Sequence, residues 1–174
     1  SSAVLTLIEF VDLECPYCRR LQPLLDSLVE ETPSLRVMYV PSPIASHRFA
    51  LPAARAAECA AEIGALREWI GTVYTNQDSL GLKSWSRLAA DAGIADTGKI
   101  EKCAGSPVEV KRITAGIQVG EALGITGTPM VLLNGWRFYG GPSRQELEDA
   151  IQALLRGEEP SGVNVRAEAA IPKT

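Results

Sequence analysis

The sequence is poor in the features that mark several large protein classes. Its 174 residues include a single histidine, and 17 basic residues are set against 21 acidic ones, for a net charge of −4. This balance argues against nucleic acid as a partner and against binding to a membrane surface. No uninterrupted apolar stretch is long enough to span a membrane, and internal repeats are absent. With 46% hydrophobic residues, the chain is predicted to be a soluble globular protein.

Length and cysteine content narrow the class further. The chain is long enough to bury a proper core as one domain, or as one domain with an inserted subdomain, without disulfides. Its four cysteines are even in number, which favours an oxidising compartment where disulfides persist. The sequence begins with Ser1 rather than methionine, so removal of a signal segment or membrane anchor stays open.

Two cysteines, Cys15 and Cys18, stand where an apolar run ending near Leu13 meets an amphipathic helix. Backbone N–H groups at the start of a helix have no partner within it, and together with the helix dipole they favour a negatively charged sulfur. The pattern therefore predicts a redox-active dithiol. Cys15 is the nucleophile, with a pKa lowered from ~8.5 to roughly 3.5–7.5, and Cys18 is the resolving cysteine. Pro16 suits the first helical turn, where its missing N–H is not needed.

Half of a zinc site is the alternative interpretation of this cysteine pair. Zinc needs about four ligands, and the remaining candidates are the isolated Cys59 and Cys103 and the only histidine, His47. This supply of ligands favours the dithiol, and we predict no metal site. His47 lies in a loop, where a histidine is usually solvated, although a place near the dithiol stays open.

Glu9 is unexpected in the apolar run that precedes the dithiol. A carboxyl group inside a buried strand is desolvated, which raises its pKa and makes it able to hold or pass a proton. The alternative is a solvated strand edge, since acids are rarely fully buried. The residue pattern by itself leaves both interpretations open.

The first part of the chain predicts a β-α-β unit. Residues 4–13 form a nearly continuous apolar run, typical of a strand buried on both faces. Leucines then repeat at helical spacing from Leu21 to Leu28, and a second strand is predicted over residues 35–40. A helix between two neighbouring strands implies a parallel pair with a right-handed connection.

The middle of the chain predicts only helices, and the β-pattern returns after it. Alanine-rich stretches predict helices over residues 48–63, 65–76, 83–92, 97–104 and 107–123. Asn134-Gly135 then separates two strands, 130–133 and 136–139, as an antiparallel hairpin. A capping box that begins at Ser143 opens the last helix, which ends at Gly157. Residues 158–174 are predicted to be an extended or mobile tail.

This order of elements, with Cys15-Pro16-Tyr17-Cys18 after the first strand, resembles the DsbA family of thiol-disulfide oxidoreductases. The resemblance covers about residues 4–156, and Gly124-Ile125-Thr126-Gly127-Thr128-Pro129 looks like the family's cis-proline loop. It implies an α/β, thioredoxin-like fold: a mixed central sheet flanked by helices, with an all-helical insertion. The thioredoxin-like domain is then formed by residues 1–47 and 125–157, and the insertion by residues 48–124.

The resemblance also implies roles for particular residues. Gly127, Thr128 and Pro129, with Pro129 after a cis peptide bond, hold the substrate as an extended strand. Glu9 lies where this fold often has a buried acid that serves the resolving cysteine. Pro16 and Tyr17 tune the redox potential of the dithiol.

Two further features are judged against the family. Some DsbA relatives have a second bridge in the helical region, which implies a structural disulfide between Cys59 and Cys103; buried free thiols are the alternative. Tyr17 is a departure, because DsbA itself has histidine at this position. Tyrosine occurs there in bacterial disulfide isomerases and in many other DsbA-like proteins.

The function implied is a monomeric, extracytoplasmic oxidoreductase that exchanges disulfides with unfolded or partly folded proteins. A membrane redox partner is expected, whereas no cofactor and no nucleic acid are implied. One alternative is a protein disulfide reductase or isomerase, which differs in its redox potential. Another is a non-catalytic binding or chaperone module whose cysteines are structural.

Overall fold

The structure is a computed structural model that describes residues 5–138, 140–162 and 164–166. The described residues form five strands and seven α-helices. The strands are β1 (Leu5–Val11), β2 (Leu35–Pro41), β3 (Met130–Leu133), β4 (Trp136–Phe138) and β5 (Asn164–Arg166). The helices are α1 (Pro16–Glu31), α2 (Ala50–Glu62), α3 (Leu66–Thr75), α4 (Trp85–Asp91), α5 (Thr97–Gly105), α6 (Lys111–Ala122) and α7 (Arg144–Leu155), with a 3-10 turn at Gln77–Ser79.

The five strands form one mixed sheet in the order β2-β1-β3-β4-β5. Strands β1 and β2 are parallel, as the β-α-β pattern predicts, and the other neighbouring pairs are antiparallel. This is the predicted thioredoxin-like fold. Because β1 has a partner on each side, every residue in the middle of β1 is inside the sheet rather than at its edge.

Helix α1 starts directly after the nucleophile position because Pro16 supplies the fixed φ of a first helical turn. Its apolar stripe packs under the sheet, with Leu21, Leu25 and Leu28 buried against residues of β1, β3 and α7. The helix ends at Glu31, where Thr32-Pro33 cannot continue it. The stripe therefore fixes the start of α1, and with it the dithiol, at the end of β1.

Helices α2 to α6 lie between β2 and β3 in the chain, and α2 to α5 form a second core. Trp69 is fully buried there, and its indole N–H donates to the carbonyl of Ala53 at 3.3 Å. This core is continuous with the dithiol, because Cys15 and Cys18 belong to the same cluster of buried residues. The helical insertion thus covers one side of the active-site loop.

Helix α6 begins later than the sequence predicts. The expected segment starts at residue 107, whereas the helix starts at Lys111. Pro107 favours an extended residue before it, and Ser106 is indeed extended at the end of α5. Within α6, a side chain at Gly116 would collide with the carbonyl oxygen of Pro41, so the helix packs directly on the end of β2.

The hairpin and the last helix follow their local signals. Asn134 and Gly135 both have positive φ, 47° and 88°, as a tight antiparallel turn requires. Ser143 accepts a hydrogen bond from the N–H of Glu146, whose carboxylate accepts in return from the N–H of Ser143, so the capping box is present. The predicted end of β4 at Tyr139 lies outside the described residues.

The predicted tail contains a strand that the sequence pattern did not indicate. Asn164–Arg166 pairs antiparallel with β4 and forms an edge of the sheet. Three residues are too few to show the alternation by which strands are recognised. The last part of the tail, residues 167–174, is outside the described residues. None of the described helices has the length and apolar character needed to cross a membrane.

Candidate active site

The two cysteines of the tetrad lie at the start of α1, and both are buried. Cys15 is the N-cap residue, with its backbone in the extended region, and Cys18 lies in the first turn. Both are free thiols, and both are buried, with 3% of Cys15 and none of Cys18 exposed. Tyr17 between them is 58% exposed, and the guanidinium group of Arg20 lies 4.6 Å from the centre of its ring.

The surroundings of Cys15 stabilise its thiolate. A hydrogen bond from the Cys18 thiol is the largest cause that lowers the pKa of Cys15, whereas burial raises this pKa. Hydrogen bonds from the backbone N–H groups of Cys18 and Tyr17 add to the lowering, which brings the pKa of Cys15 to about 5. The unpaired N–H groups expected at the helix start therefore do point at this sulfur.

The surroundings of Cys18 stabilise its protonated thiol instead. Its hydrogen bond to Cys15, its burial and the nearby carboxylate of Glu9 all raise the pKa of Cys18 far above that of an ordinary thiol. Donating a hydrogen bond requires Cys18 to keep its proton while Cys15 is ionised. The pair is therefore divided into a ready nucleophile and a protonated partner.

The loop predicted to hold substrate lies against the nucleophile. The Thr128–Pro129 peptide bond is cis, as the resemblance implies, and the carbonyl oxygen of Thr128 is 3.3 Å from Sγ of Cys15. Pro129 is buried at the start of β3, whereas Gly127 is exposed and Thr128 half-buried. The pairing of β3 with β1 places this loop beside the dithiol, although the two are more than a hundred residues apart in sequence.

Glu9 is fully buried on β1, which has a neighbouring strand on each side, so the alternative of a solvated strand edge is wrong. Neither carboxylate oxygen has a hydrogen-bond partner among the described residues. Burial, and then the charge on Cys15, raise the pKa of Glu9 to about 8. A carboxyl group with this pKa can accept and return a proton near neutral pH.

Asp12 and His47 form a pair that the sequence pattern did not indicate. The Asp12 carboxylate is buried and accepts hydrogen bonds from the N–H groups of Glu14 and Ile44 at 2.7 and 2.8 Å. Nδ1 of His47 lies 2.9 Å from the same carboxylate. His47 is therefore not a solvated loop residue, but fixes the loop after β2 to the segment that precedes Cys15. An aspartate directly after a buried strand was the available signal.

Two further side chains tie the active-site loop to the helical insertion. The side-chain amide of Gln77 donates to the carbonyls of Leu13 and Cys15 at 3.0 and 3.1 Å. In the other direction, the Glu14 carboxylate accepts from the N–H of Phe49 at 2.5 Å, next to the start of α2. No sequence signal marks Gln77, because a glutamine in a turn is ordinary.

The other two cysteines are joined to each other. Cys59 on α2 and Cys103 on α5 form a disulfide with an S–S distance of 2.02 Å, the pairing that the resemblance implies. They are thus not available as a pair of zinc ligands for Cys15 and Cys18. Among the described residues no group of three or more histidine, cysteine, aspartate or glutamate side chains is arranged to hold a metal ion.

Known proteins match nearly the whole chain. The thioredoxin family matches residues 1–153. The chain belongs to the thioredoxin family. Its structure is similar to a thioredoxin-like oxidoreductase from Silicibacter pomeroyi, with 26% identity and a TM-score of 0.72 over 89% of this chain and 88% of that one. It is also similar to DsbA2 of Pseudomonas aeruginosa, with 25% identity and a TM-score of 0.70 over 88% and 90% of the two chains.

Both solved structures have the same fold as this member of the thioredoxin family over most of their length. Curated relatives by sequence are longer proteins of another description. The Na(+)/H(+) antiporter NhaA 3 of Salinispora tropica is 30% identical over 154 residues, which are 88% of this chain and 24% of the antiporter. NhaA of Herminiimonas arsenicoxydans is 31% identical over 156 residues, 89% of this chain and 25% of that protein. The chain thus spans about a quarter of the length of the curated relatives it matches.

Proposed function

We propose that the protein exchanges disulfides with unfolded or partly folded protein substrates in an extracytoplasmic compartment. The observation that carries this proposal is the position of Cys15, whose pKa is lowered to about 5 and whose sulfur lies 3.3 Å from the carbonyl of the cis-proline loop. A thiolate attacks disulfides, and an exposed loop beside it lets an extended peptide lie across the nucleophile. Gly127, Thr128 and Pro129 are the proposed substrate-binding residues.

The exchange proceeds through a mixed disulfide. The Cys15 thiolate attacks one sulfur of a substrate disulfide, the Cys15–substrate bond forms, and the other substrate sulfur leaves and is protonated by solvent. Cys18 then passes its proton to Glu9 and attacks Cys15. The Cys15–Cys18 bond forms and the second substrate sulfur leaves, so two electrons have passed from the dithiol to the substrate. The reverse sequence oxidises a substrate dithiol.

Compartment, partners and domain organisation belong to the same proposal. The Cys59–Cys103 disulfide supports an extracytoplasmic location, because such bonds persist in oxidising compartments. A membrane redox partner that restores the dithiol or the disulfide, and a monomeric state, complete this assignment. We further propose residues 1–47 and 125–157 as the thioredoxin-like domain and 48–124 as its insertion.

Reduction of insulin by a small dithiol tests the proposed activity. The protein should accelerate the reaction, and Cys15→Ser should abolish the acceleration because the nucleophile is lost. In the absence of the small dithiol, reduced Cys18→Ser should accumulate a mixed disulfide with insulin on Cys15, since no resolving thiol then remains to release it. Full acceleration by Cys15→Ser would exclude the proposed nucleophile, and no acceleration by the wild type would favour a binding module with structural cysteines.

A measured reduction potential then separates an oxidase from a reductase or isomerase. Related dithiols span roughly −270 to −120 mV, so the direction of electron flow depends on where in this range the Cys15–Cys18 pair lies. A potential near the upper end favours oxidation of substrates.

A further inference from the structure

Polar side chains from three different elements lie in the interior beside the dithiol. They are Gln22 on α1, Tyr39 on β2 and Tyr74 on α3, of which Gln22 and Tyr74 are buried and Tyr39 half-buried. Tyr39 is directly opposite Glu9 in the parallel β1–β2 ladder. Its hydroxyl oxygen accepts a hydrogen bond from Nε2 of Gln22 at 2.8 Å.

Several atoms of this group have their hydrogen-bonding capacity unused. Oε1 of Gln22, the hydroxyl of Tyr74 and both carboxylate oxygens of Glu9 are buried without a partner among the described residues. Buried polar atoms in proteins are normally hydrogen-bonded to protein or to ordered water. Because the charge of Glu9 acts on the hydroxyls of both tyrosines, these atoms indicate a polar path that ordered water can complete.

The group reaches the surface at a groove between α1 and α3. This groove has a volume of about 400 Å³, and Gln22, Asp26 and Tyr74 are among the residues that line it. Tyr74 also belongs to the buried cluster that contains Cys18, so one side chain connects the surroundings of the dithiol with the groove. Glu9 itself is inaccessible to solvent.

We propose that Gln22, Tyr39 and Tyr74 form a polar passage that carries the proton between Glu9 and the solvent in this groove. The inference rests on the proposed disulfide exchange, in which Glu9 receives the proton of Cys18. The passage then returns Glu9 to its charged form for the next turnover: the proton leaves along the hydroxyl groups and bridging water, which the Gln22 side chain holds in place, and enters bulk water. These three are positioning residues rather than catalytic ones.

The electrostatic surroundings agree with such a route. Burial and the charge of Glu9 raise the pKa of Tyr74 well above its usual value, and burial is the main cause that raises the pKa of Tyr39 to about 12. Both hydroxyls therefore keep their protons and act as hydrogen-bond relays. The titratable and charged groups that act on the passage are Cys15, Cys18, Asp12, Asp26 and Arg67, in addition to Glu9 and the two tyrosines.

Single-turnover kinetics with oxidised glutathione test the passage. The reduced protein first forms a mixed disulfide on Cys15 and then releases glutathione when Cys18 attacks, and quenching with mass spectrometry separates the two steps. Tyr74→Phe and Gln22→Leu should slow the second step by roughly tenfold at a pH well below the pKa of Glu9, where Glu9 must lose its proton first. Well above that pKa the defect should disappear. The first step should be unchanged in both variants.

Control measurements keep a structural effect apart from a proton-transfer effect. Tyr74→Phe removes an oxygen that bonds to no described residue, so folding should be preserved. Gln152→Leu, on the exposed face of α7, is the matched control for Gln22→Leu and should behave as the wild type. The slowed step should show a larger solvent isotope effect in D2O than in the wild type, while the ultraviolet titration of the Cys15 thiolate should not move.

Two results would overturn the passage. One is an unchanged second step in both variants across the pH range. The other is a slowed step with the same defect at every pH and an unchanged isotope effect, which would indicate distorted packing instead. Failure of the wild type to form any mixed disulfide would instead reject the proposed function, so the two failures are distinguishable.

Discussion

At the scale of single residues, two identical side chains in the site differ in their pKa. Cys15 and Cys18 differ by one turn of helix, yet their surroundings move their pKa values in opposite directions. The difference arises because one sulfur accepts hydrogen bonds from backbone N–H groups, whereas the other donates its proton to its neighbour. Cys15 is therefore a nucleophile below neutral pH without any positively charged side chain supplying the main effect.

Alkylation measures this contrast directly. In the reduced protein, iodoacetamide should label Cys15 much faster than Cys18 at mildly acidic pH, with a rate that titrates near pH 5. The Cys18 hydrogen bond lowers the pKa of Cys15 most, so Cys18→Ala, which removes it, should raise the pKa of Cys15. Equal labelling of both cysteines, or an unmoved titration in Cys18→Ala, would contradict the assignment. Peptide mapping by mass spectrometry gives both rates.

Tyr17 offers a second test at this scale. Its ring is exposed and neutral, whereas a histidine there brings a positive charge or a ring N–H toward the Cys15 sulfur. Tyr17→His should therefore lower the pKa of Cys15 and raise the reduction potential together, because both follow from a more stable thiolate. Equilibration with glutathione measures the potential. A variant no more oxidising than the wild type would show that Tyr17 does not act on the sulfur.

At the scale of elements, much of the order of helices and strands was predictable because apolar spacing and turn signals are local. The β-α-β unit, the Asn134-Gly135 turn and the capping box at Ser143 depend on residues close in sequence. The strand β5 and the Asp12–His47 pair could not be predicted, since both depend on segments that meet only after folding. The burial of Gln22 could have been predicted, because it shares a helix face with Cys18 and Leu25, where a polar residue is unusual.

The disulfide between α2 and α5 is expected to stabilise the folded protein. Closing a loop with a sequence separation of 44 residues restricts the unfolded chain. The double variant Cys59→Ser/Cys103→Ser should lower the free energy of unfolding by about 3–4 kcal/mol in the chain-entropy model. Urea denaturation of the variant and the wild type measures the loss. Ser84→Thr, which keeps the hydroxyl that caps α4, serves as a control for mutation elsewhere in the insertion.

At the scale of the whole molecule, Glu9 links stability to pH. Its pKa is raised from 4.5 to about 8 in the folded protein, so folding favours its neutral form. The associated stability is complete below pH 4.5 and is lost as the pH rises through the folded pKa. The protein therefore contains a carboxyl group that weakens the fold at alkaline pH.

Glu9→Gln should thus stabilise the protein most where the carboxylate is ionised. The gain in the free energy of unfolding should be absent below pH 4.5 and should grow to roughly 2–5 kcal/mol above pH 8. Urea denaturation of the reduced proteins at a series of pH values measures it. Glu159→Gln, at an exposed position, is the matched control and should show no such trend. A gain that does not vary with pH would mean that Glu9 titrates normally.

Gln77 holds the backbone of Leu13 and Cys15, so the active-site loop depends on the helical region for its position. An engineer who excised the helices to obtain a minimal redox module would also remove Trp69 and Tyr74, which share a core with both reactive cysteines. The cut would open that side of the dithiol to water, and hydration would bring the pKa of Glu9 back toward that of an ordinary carboxyl group. The reactive tetrad therefore cannot be transferred alone, and a graft has to include the helices that pack against it.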